Sequence, residues 1–122
     1  MHAILVCGSR DWSAPDPISN FLKTFVGRQS VLIQGACRGA DAMAANLAMD
    51  QNYSVICVPA NWDKHGKAAG PIRNKAMLDL LLAFKGCGYE IRAAAFHLGG
   101  KGTQGMIDLL HGADVSTTVF GG

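Results

Sequence analysis

The sequence predicts a three-layer α/β fold, in which helices cover both faces of one open, doubly wound parallel sheet, within a single domain over residues 1–122. Two observations predict this class. Five short apolar runs alternate with four segments of helical periodicity, an order typical of parallel sheets. Three of the apolar runs end in glycine-bearing turns, which gather at the carboxyl edge of such a sheet, where ligands bind. Since crossovers are right-handed, the strand order 3-2-1-4-5 is the simplest, and it makes the first and fourth strands neighbours.

The first half of the chain supplies two strands and two helices. Asp16 predicts the N-cap of the first helix, because its carboxylate can accept from free backbone N–H groups, and Pro17 suits the first helical position. Gly27 is typical of a residue that ends a helix. Asp41 lies at the start of the second helix, where a capping role is also expected. The predicted elements are a strand at 3–7, a helix from 17 toward Gly27, a strand at 30–34 and a helix at 40–50.

The second half supplies three strands and two helices. The polar, glycine-containing stretch 59–70 is predicted as a loop. Pro71 is expected to open the third helix and Thr103 to cap the fourth. The segment 85–90 is a predicted turn. The remaining predicted elements are strands at 54–58, 91–96 and 116–120.

The composition and charge of the chain limit the classes of function that it can have. Hydrophobic residues make up 49% and charged residues 16% of the chain, as is typical of a globular domain. A net charge of +2, with basic residues placed singly in loops, argues against a nucleic-acid coat. No apolar stretch approaches the ~20 residues of a membrane helix. The chain enters its first strand almost at once, so we expect no signal peptide and a cytoplasmic location.

The four cysteines are spread over separate elements and form no C-x-x-C pair, so no metal site is predicted. Cys7 and Cys57 end apolar strands and are expected to be small buried hydrophobic residues. Cys37 lies in a glycine-bearing turn, where a reactive thiol is the alternative to a structural one. The sequence implies no cofactor.

Two of the glycine-bearing turns predict an anion site. Residues 8–10, Gly-Ser-Arg, follow the first strand, and Arg10 can form two parallel hydrogen bonds to a phosphate or carboxylate. Residues 99–103, Gly-Gly-Lys-Gly-Thr, lie between the fourth strand and a helix, where backbone N–H groups and Thr103 Oγ can bind a phosphate. The alternatives are that Arg10 pairs with Asp11 or caps a helix, and that residues 99–103 form a tight strand-to-helix turn with a threonine cap. Neither turn matches the P-loop or the dinucleotide-binding fingerprint.

Two further turns add candidate ligand contacts. The turn at 35–41 contains Arg38, which can reach a ligand at the same edge of the sheet. Arg73 and Asn74 lie in the first turn of the third predicted helix. Because an arginine there opposes the helix dipole, an anionic partner is expected, either a ligand or a carboxylate such as Asp63.

Two tryptophans, Trp12 and Trp62, lie in predicted loops beside these turns. A purine or other base could stack on either ring. The alternative for each is packing over the crevice or over the edge of the core.

These motifs, taken in order, resemble the YspA-like branch of the SLOG superfamily. The matching segments are GSRDW from residue 8, QGACRGADAMAANLA from residue 34, VPANWDKHGKAAGPIRNKAML from residue 58 and FHLGGKGTQGM from residue 96. The stretch from Trp62 to Asn74 is the most specific part. The resemblance implies a Rossmann-like fold and a crevice that binds a nucleotide or a nucleotide-derived ligand, such as an ADP-ribose-like or cyclic molecule. Some members of the superfamily are sensors and others are enzymes.

Two related branches supply the alternatives. The cytokinin-activating phosphoribohydrolases share a G-G-x-G-T-x-x-E turn and an arginine on the preceding helix, which residues 99–103 and Arg73 resemble. Met106 occupies the position of their glutamate. N-glycosidic hydrolysis of a nucleoside phosphate would therefore need another carboxylate to act beside Arg73. The candidate carboxylates are Asp11, Asp41 and Asp108. The turn of DprA, which binds single-stranded DNA, resembles residues 35–41, but this chain lacks a basic stripe with interleaved aromatic residues.

The resemblance and the turns together favour a module that senses or sequesters a nucleotide second messenger over an enzyme. Neither nucleic acid nor a membrane is an expected partner. A homodimer or higher homo-oligomer is expected to be possible, because Leu80, Leu81 and Leu82 widen an apolar helix face. The residues expected to bind the ligand are Gly8, Ser9, Arg10, Trp12, Gly35, Arg38, Trp62, Lys67, Arg73, Asn74, Gly99, Gly100, Lys101, Gly102 and Thr103.

Overall fold

Five parallel strands form one sheet in the order third, second, first, fourth, fifth, which confirms the predicted fold class and strand order. The computed structural model describes residues 1–27 and 29–121; Arg28 and Gly122, which the single-domain prediction includes, lie outside the described residues. The strands are β1 (His2–Gly8), β2 (Val31–Gln34), β3 (Ser54–Cys57), β4 (Glu90–His97) and β5 (Thr117–Gly121). The helices are α1 (Pro15–Thr24), α2 (Ala40–Asp50), α3 (Trp62–His65), α4 (Ala69–Gly86) and α5 (Lys101–Gly112), with a 3-10 helix at Gly66–Ala68 between α3 and α4.

The central strand β1 is buried on both faces, and its alternating side chains divide the core into two parts. Ala3, Leu5 and Cys7 face a cluster that α4 and α5 cover, whereas Ile4 and Val6 face one that α1 and α2 cover. β1 pairs in parallel with both β2 and β4. Because β1 and β4 are neighbours, the turns that follow them lie side by side at the carboxyl edge of the sheet.

Two predicted helix starts are wrong by less than one turn. α1 starts at Pro15 with Ala14 as its N-cap, so Asp16 lies inside the first turn. α5 starts directly after Gly100, so Thr103 is a buried residue of its first turn and makes no capping hydrogen bond. Gly100 has a φ of 116°, a backbone conformation that favours glycine. That residue, rather than the threonine, sets the direction in which the helix begins.

The polar stretch 59–70 is not the loop that the sequence predicts. It contains α3 and the 3-10 helix, which run directly into α4. Asn61 caps α3, since its side-chain oxygen accepts a hydrogen bond from the Lys64 N–H at 3.1 Å. Pro71 is the third residue of α4 rather than its first, a position that still tolerates proline because first-turn N–H groups have no helical partner. Trp62 and Lys67 are therefore held on helical backbone.

The leucine row of α4 is covered in part within the chain. Leu81 is fully buried, and Leu80 and Leu82 are half-buried against the same cluster. Much of the apolar face that suggested a homo-oligomer therefore packs on the sheet. The oligomeric state stays a prediction.

Of the two cysteines expected to be buried, Cys7 is buried and Cys57 is exposed. Cys57 ends β3, which is an edge strand with a neighbour on one side only. Its sulfur accepts a hydrogen bond from Gln34 Nε2 at 2.6 Å. The apolar pattern of the strand predicted burial, although the predicted strand order already placed this strand at the edge of the sheet, where Cys57 stays open to solvent.

Within residues 1–27 and 29–121, no group of three or more His, Cys, Asp or Glu side chains is arranged to hold a metal ion. None of the helices in that part of the chain has the length and apolar character needed to cross a membrane.

Candidate functional site

A crevice at the carboxyl edge of the sheet consists of two adjoining chambers. The large chamber, of about 510 Å³, is lined by residues of α3, α4 and α5, and the small chamber, of about 260 Å³, lies at the end of β1 beside the turn that precedes α5. Four residues line both chambers and form their shared wall: Arg10, Arg73, Asn74 and Gly102. A crevice of this size suits a small organic ligand.

Ser9 joins the turns that follow β1 and β4. Its backbone N–H donates to the Phe96 carbonyl at 2.9 Å. Its hydroxyl accepts a hydrogen bond from the Leu98 N–H at 2.8 Å and donates one to the Gly99 carbonyl at 3.2 Å. Ser9 also lines the small chamber. The Ser9 hydroxyl therefore holds the two turns against each other.

Arg73 is held from two sides by groups of the chain itself. Its Nη1 donates to the Gly35 carbonyl at 2.6 Å, and its Nε donates to Asn74 Oδ1 at 3.0 Å. Asn74 in turn donates from Nδ2 to the Gly102 carbonyl at 3.2 Å. The partner of Arg73 in the chain is thus a carbonyl rather than Asp63. Since a guanidinium has five N–H donors in a fixed plane, these bonds orient the group and leave donors for an anion.

Asp41 lies beneath Arg73 and supports the turn that holds it. Its Oδ2 accepts hydrogen bonds from the backbone N–H groups of Gly35 and Cys37, at 3.1 and 3.4 Å. Its Oδ1 is buried and has no hydrogen-bond partner in the described part of the chain. The expected capping role is wrong, because Gly39 is the N-cap of α2 and the carboxylate points at the preceding turn. Burial raises the pKa of Asp41 to about 6, although nearby Arg73 and Arg10 act in the opposite direction.

The side chains around the crevice are mostly cationic. Among residues 1–27 and 29–121, no Asp or Glu lines the large chamber, while Asp11 lines the small one at 3.8 Å from Arg38. Lys75 pairs with Asp79 at 2.6 Å. Four cations of the crevice have no ion pair within those same residues: Arg10, Lys67, Arg73 and Lys101. This arrangement favours an anionic ligand.

Comparison with known proteins decides the family. Residues 2–65, just over half of the chain, match the family described as YspA, cpYpsA-related SLOG family, or YAcAr. The Gene 61 protein of Mycobacterium phage D29 is 32% identical over 96 residues, which cover 69% of this chain and 77% of the phage protein. The chain belongs to the YspA, cpYpsA-related SLOG family. Arg73 and the turn at 99–103 lie outside the segment that matches the SLOG family, so their place in the crevice rests on the structure.

The two tryptophans of this SLOG family protein have different surroundings. Trp62 lines the large chamber with 48% of its surface exposed, and the Arg10 guanidinium lies 5.9 Å from the centre of its ring. Trp12 is buried: it packs edge-on against Phe96 at 5.3 Å and donates from Nε1 to the Ala14 carbonyl at 2.7 Å. These contacts favour the alternative that Trp12 packs over the edge of the core, since it lines neither chamber.

Two other predicted ligand residues line neither chamber. Gly35 is buried beneath Arg73, and its carbonyl accepts the hydrogen bond that orients the Arg73 guanidinium. Arg38 has 76% of its side chain exposed and lies 3.8 Å from Asp11, at the outer side of the small chamber. Cys37 is half-buried, with its sulfur 3.5 Å from Arg73 Nη1. The turn after β2 thus supports the crevice from behind rather than lining it.

The remaining predicted ligand residues come together around the crevice. Gly8, Ser9, Gly99, Gly100 and Thr103 line the small chamber, Trp62, Lys67 and Lys101 line the large one, and Arg10, Arg73, Asn74 and Gly102 line both. Five residues that line the large chamber are absent from the prediction: Gly70, Pro71, Lys75, Gly105 and Leu109. Helical spacing could have found Gly105 and Leu109, because they follow Lys101 at steps of four residues, and Gly70, because it precedes Asn74 by four.

The candidate catalytic carboxylates are not gathered at one point. Met106, at the position of the phosphoribohydrolase glutamate, is fully buried and lines the small chamber. Asp108 lines neither chamber and accepts a hydrogen bond from Gln104 Nε2 at 2.9 Å. Asp11 lines the small chamber with an exposed side chain. The Cys7 thiol, also in its wall, has its pKa raised to about 12 by burial, so it is unsuited to act as a nucleophile.

Proposed function

We propose that this chain binds a nucleotide or a nucleotide-derived molecule in the crevice and acts by sensing or sequestering it. The observation that carries the proposal is that four cations without ion pairs in the described residues surround one crevice, together with a glycine turn and an exposed indole. A phosphate suits the cations and the turn, and a nucleobase suits the indole. Membership of a SLOG family is consistent with a nucleotide-related role.

In the proposed complex, a phosphate lies in the small chamber over the turn of Gly99, Gly100 and Gly102. A Cβ added at any of these glycines would meet no other atom within 4 Å, so the space above the turn is open to a ligand. Arg10 and Arg73 provide positive charge from the shared wall. The orientation of Arg73 is set in advance by its bonds to the chain, which lowers the entropy that binding must offset.

The base of the ligand then lies in the large chamber against Trp62. The apolar side of that chamber includes Leu109 and Pro71. An aromatic base stacked on an indole and an aliphatic side chain gains both dispersion and apolar burial. The two chambers meet at their shared wall, so one molecule can occupy both.

Isothermal titration with mono-, di- and cyclic nucleotides tests the proposal. We expect at least one to bind at one molecule per chain, and Arg73→Gln to weaken that affinity by about 10- to 100-fold, as for the loss of a charge-assisted hydrogen bond. Arg92→Gln is the matched control, because it removes the same charge from a residue near the start of β4 that lines neither chamber. Absence of binding by every nucleotide in the panel would contradict the proposal.

Chromatography of the same mixtures distinguishes binding from cleavage. We expect the nucleotide to be recovered intact, because Met106 occupies the wall where the phosphoribohydrolases have a glutamate. Release of a free base that is lost in Arg73→Gln would instead assign an N-glycosidic hydrolase. Asp11 would then be the first carboxylate to replace.

A further inference from the structure

The positive charge of the crevice exceeds what one phosphate would neutralise. Arg10 and Arg73 lie in the shared wall and can bind a phosphate in the small chamber. Lys67 and Lys101 line only the large chamber. A phosphate monoester carries a charge of about −1.5 to −2, which is less than the charge of the four cations even after the Asp41 carboxylate that faces both arginines is subtracted.

The two lysines come from different elements and converge on the same space. Lys67 belongs to the 3-10 helix that precedes α4, and Lys101 is the first residue of α5. Both are exposed, and neither has an ion pair in the structure of residues 1–27 and 29–121. Lys75 of the same chamber differs, because Asp79 neutralises it at 2.6 Å. Because both lysines line the same chamber, in which no described Asp or Glu lies, an anion there would interact favourably with both.

We infer that the large chamber contains a second anionic subsite, formed by Lys67 and Lys101, and that the ligand is a nucleotide with at least two phosphate groups. This inference rests on the proposed function and specifies its ligand. One phosphate lies over the glycine turn of the small chamber. The other lies beyond the Arg10–Arg73 wall, between the two lysines, on the side where Trp62 covers the base.

Titration of matched pairs of nucleotides, AMP with ADP and GMP with GDP, tests this inference. We expect the diphosphate of the preferred base to bind about tenfold or more tightly than its monophosphate. In Lys67→Gln and Lys101→Gln, the affinity for the diphosphate should fall about three- to tenfold more than the affinity for the monophosphate. Both lysines are exposed, so neither change should affect folding.

Lys64→Gln is the matched control for these variants. Lys64 is an exposed lysine of α3 that lines neither chamber, so its replacement changes the net charge equally but leaves the subsite intact. We expect its affinities for both nucleotides to equal those of the parent protein. A loss as large as that in Lys101→Gln would mean that only overall charge matters, and would overturn the subsite.

The remaining outcomes separate this inference from the proposed function. Equal affinity for monophosphate and diphosphate, or equal losses for both in the two lysine variants, would overturn the second subsite while the nucleotide site stands. Failure of every nucleotide to bind would contradict the proposed function itself. A thymidine oligonucleotide that binds more tightly than ADP and competes with it would assign the second anion to a nucleic-acid backbone, which would also overturn the inference.

Discussion

Asp41 combines a buried carboxylate with only one hydrogen-bonded oxygen. It is 4% exposed, and its Oδ2 accepts from two backbone N–H groups while its Oδ1 has no partner among the described residues. The charged groups that face it are Arg73 of α4 and Arg10 of the turn after β1, with the thiol of Cys7 close by. Desolvation outweighs these arginines and raises the pKa of the carboxyl to about 6 from 3.8.

The raised pKa of Asp41 makes the stability of the fold depend on pH. The folded protein binds the proton of Asp41 more tightly than the unfolded chain does, and this tighter binding stabilises the fold. The stabilisation is fully present below pH 3.8 and is lost as the pH rises through about 6. Relative to Asp41→Asn, the parent protein should lose about 3 kcal/mol of unfolding free energy across that window. Urea unfolding of both proteins at a series of pH values measures the difference.

Parallel pH profiles for the two proteins would contradict this prediction. Should Asp41→Asn not fold, the carboxyl can be titrated by NMR in the parent protein. A midpoint near the ordinary value of 3.8 would then show that burial does not perturb it.

Gly35 offers a way to displace Arg73 from its place in the crevice. A Cβ at Gly35 would lie 2.6 Å from Arg73 Nη1, at the flexible end of a side chain, and 3.0 Å from the buried Asp41 Oδ2, so both side chains must shift. Gly35→Ala should therefore weaken nucleotide affinity about tenfold and cost about 1–3 kcal/mol of stability. Titration and urea unfolding of the same preparation measure the two effects.

Gly86→Ala is the control for Gly35→Ala. A Cβ at Gly86 would meet no other atom within 4 Å, and this residue ends α4 far along the helix from Arg73. We expect unchanged affinity and a stability that is equal or higher by up to about 1 kcal/mol. If Gly35→Ala binds as the parent protein does, the contact between Gly35 and Arg73 has no role in binding.

At the scale of elements, the crevice depends on how the turns after β1 and β4 are joined. The two strands are neighbours in the sheet, but the pairing ends at Gly8 and Phe96. Beyond that point, the hydroxyl of Ser9 connects the turns through Leu98 and Gly99. The small chamber lies directly above this junction.

Ser9→Ala should loosen the turn before α5. Loss of both hydroxyl hydrogen bonds should cost about 1–3 kcal/mol and leave the Leu98 N–H without its partner. We expect faster amide hydrogen exchange at residues 98–102 and weaker nucleotide binding. Ser13→Ala, at an exposed position before α1, is the control and should change neither. Unaltered exchange in Ser9→Ala would show that backbone bonds alone hold the turn.

For the whole molecule, a small net charge conceals a local concentration of positive charge. The chain carries 11 Lys and Arg against 9 Asp and Glu, for a net charge of +2. Four cations without ion pairs in the described residues nevertheless meet at one edge of the sheet. Composition therefore argued against a nucleic-acid coat but could not locate the crevice, because a count of charges contains no information on their positions.

Salt should weaken ligand binding more than it weakens the fold. Raising NaCl from about 0.05 M to about 0.5 M shortens the screening length severalfold, so we expect nucleotide affinity to fall about tenfold. The melting temperature should change little, because exposed ion pairs contribute little to stability. In Lys101→Gln, the dependence of affinity on salt should be shallower. Affinity that does not respond to salt would contradict an electrostatic role for the four cations.

Much of the crevice could be predicted because strand order and turn position follow from local pattern. Alternating apolar runs, right-handed crossovers and glycines after strands were enough to bring the turn at 8–10 beside the turn at 99–103, as the sheet confirms. Helix starts were less accurate, because Gly100 and Ala14 occupy the N-caps that Thr103 and Asp16 suggested. Cap preferences differ by about 1 kcal/mol, and tertiary packing easily exceeds that.

The sequence by itself determined the α/β class, the strand order and the edge at which the glycine turns and cations gather. Only the tertiary structure decided that Trp62 lines the crevice while Trp12 packs on Phe96, and that Arg73 is held by the carbonyl of Gly35, 38 residues away. The physical reason is that periodicity and turn chemistry act over a few neighbouring residues. The direction of a side chain at the end of a strand is set instead by the elements that pack around it, which meet only in the folded chain.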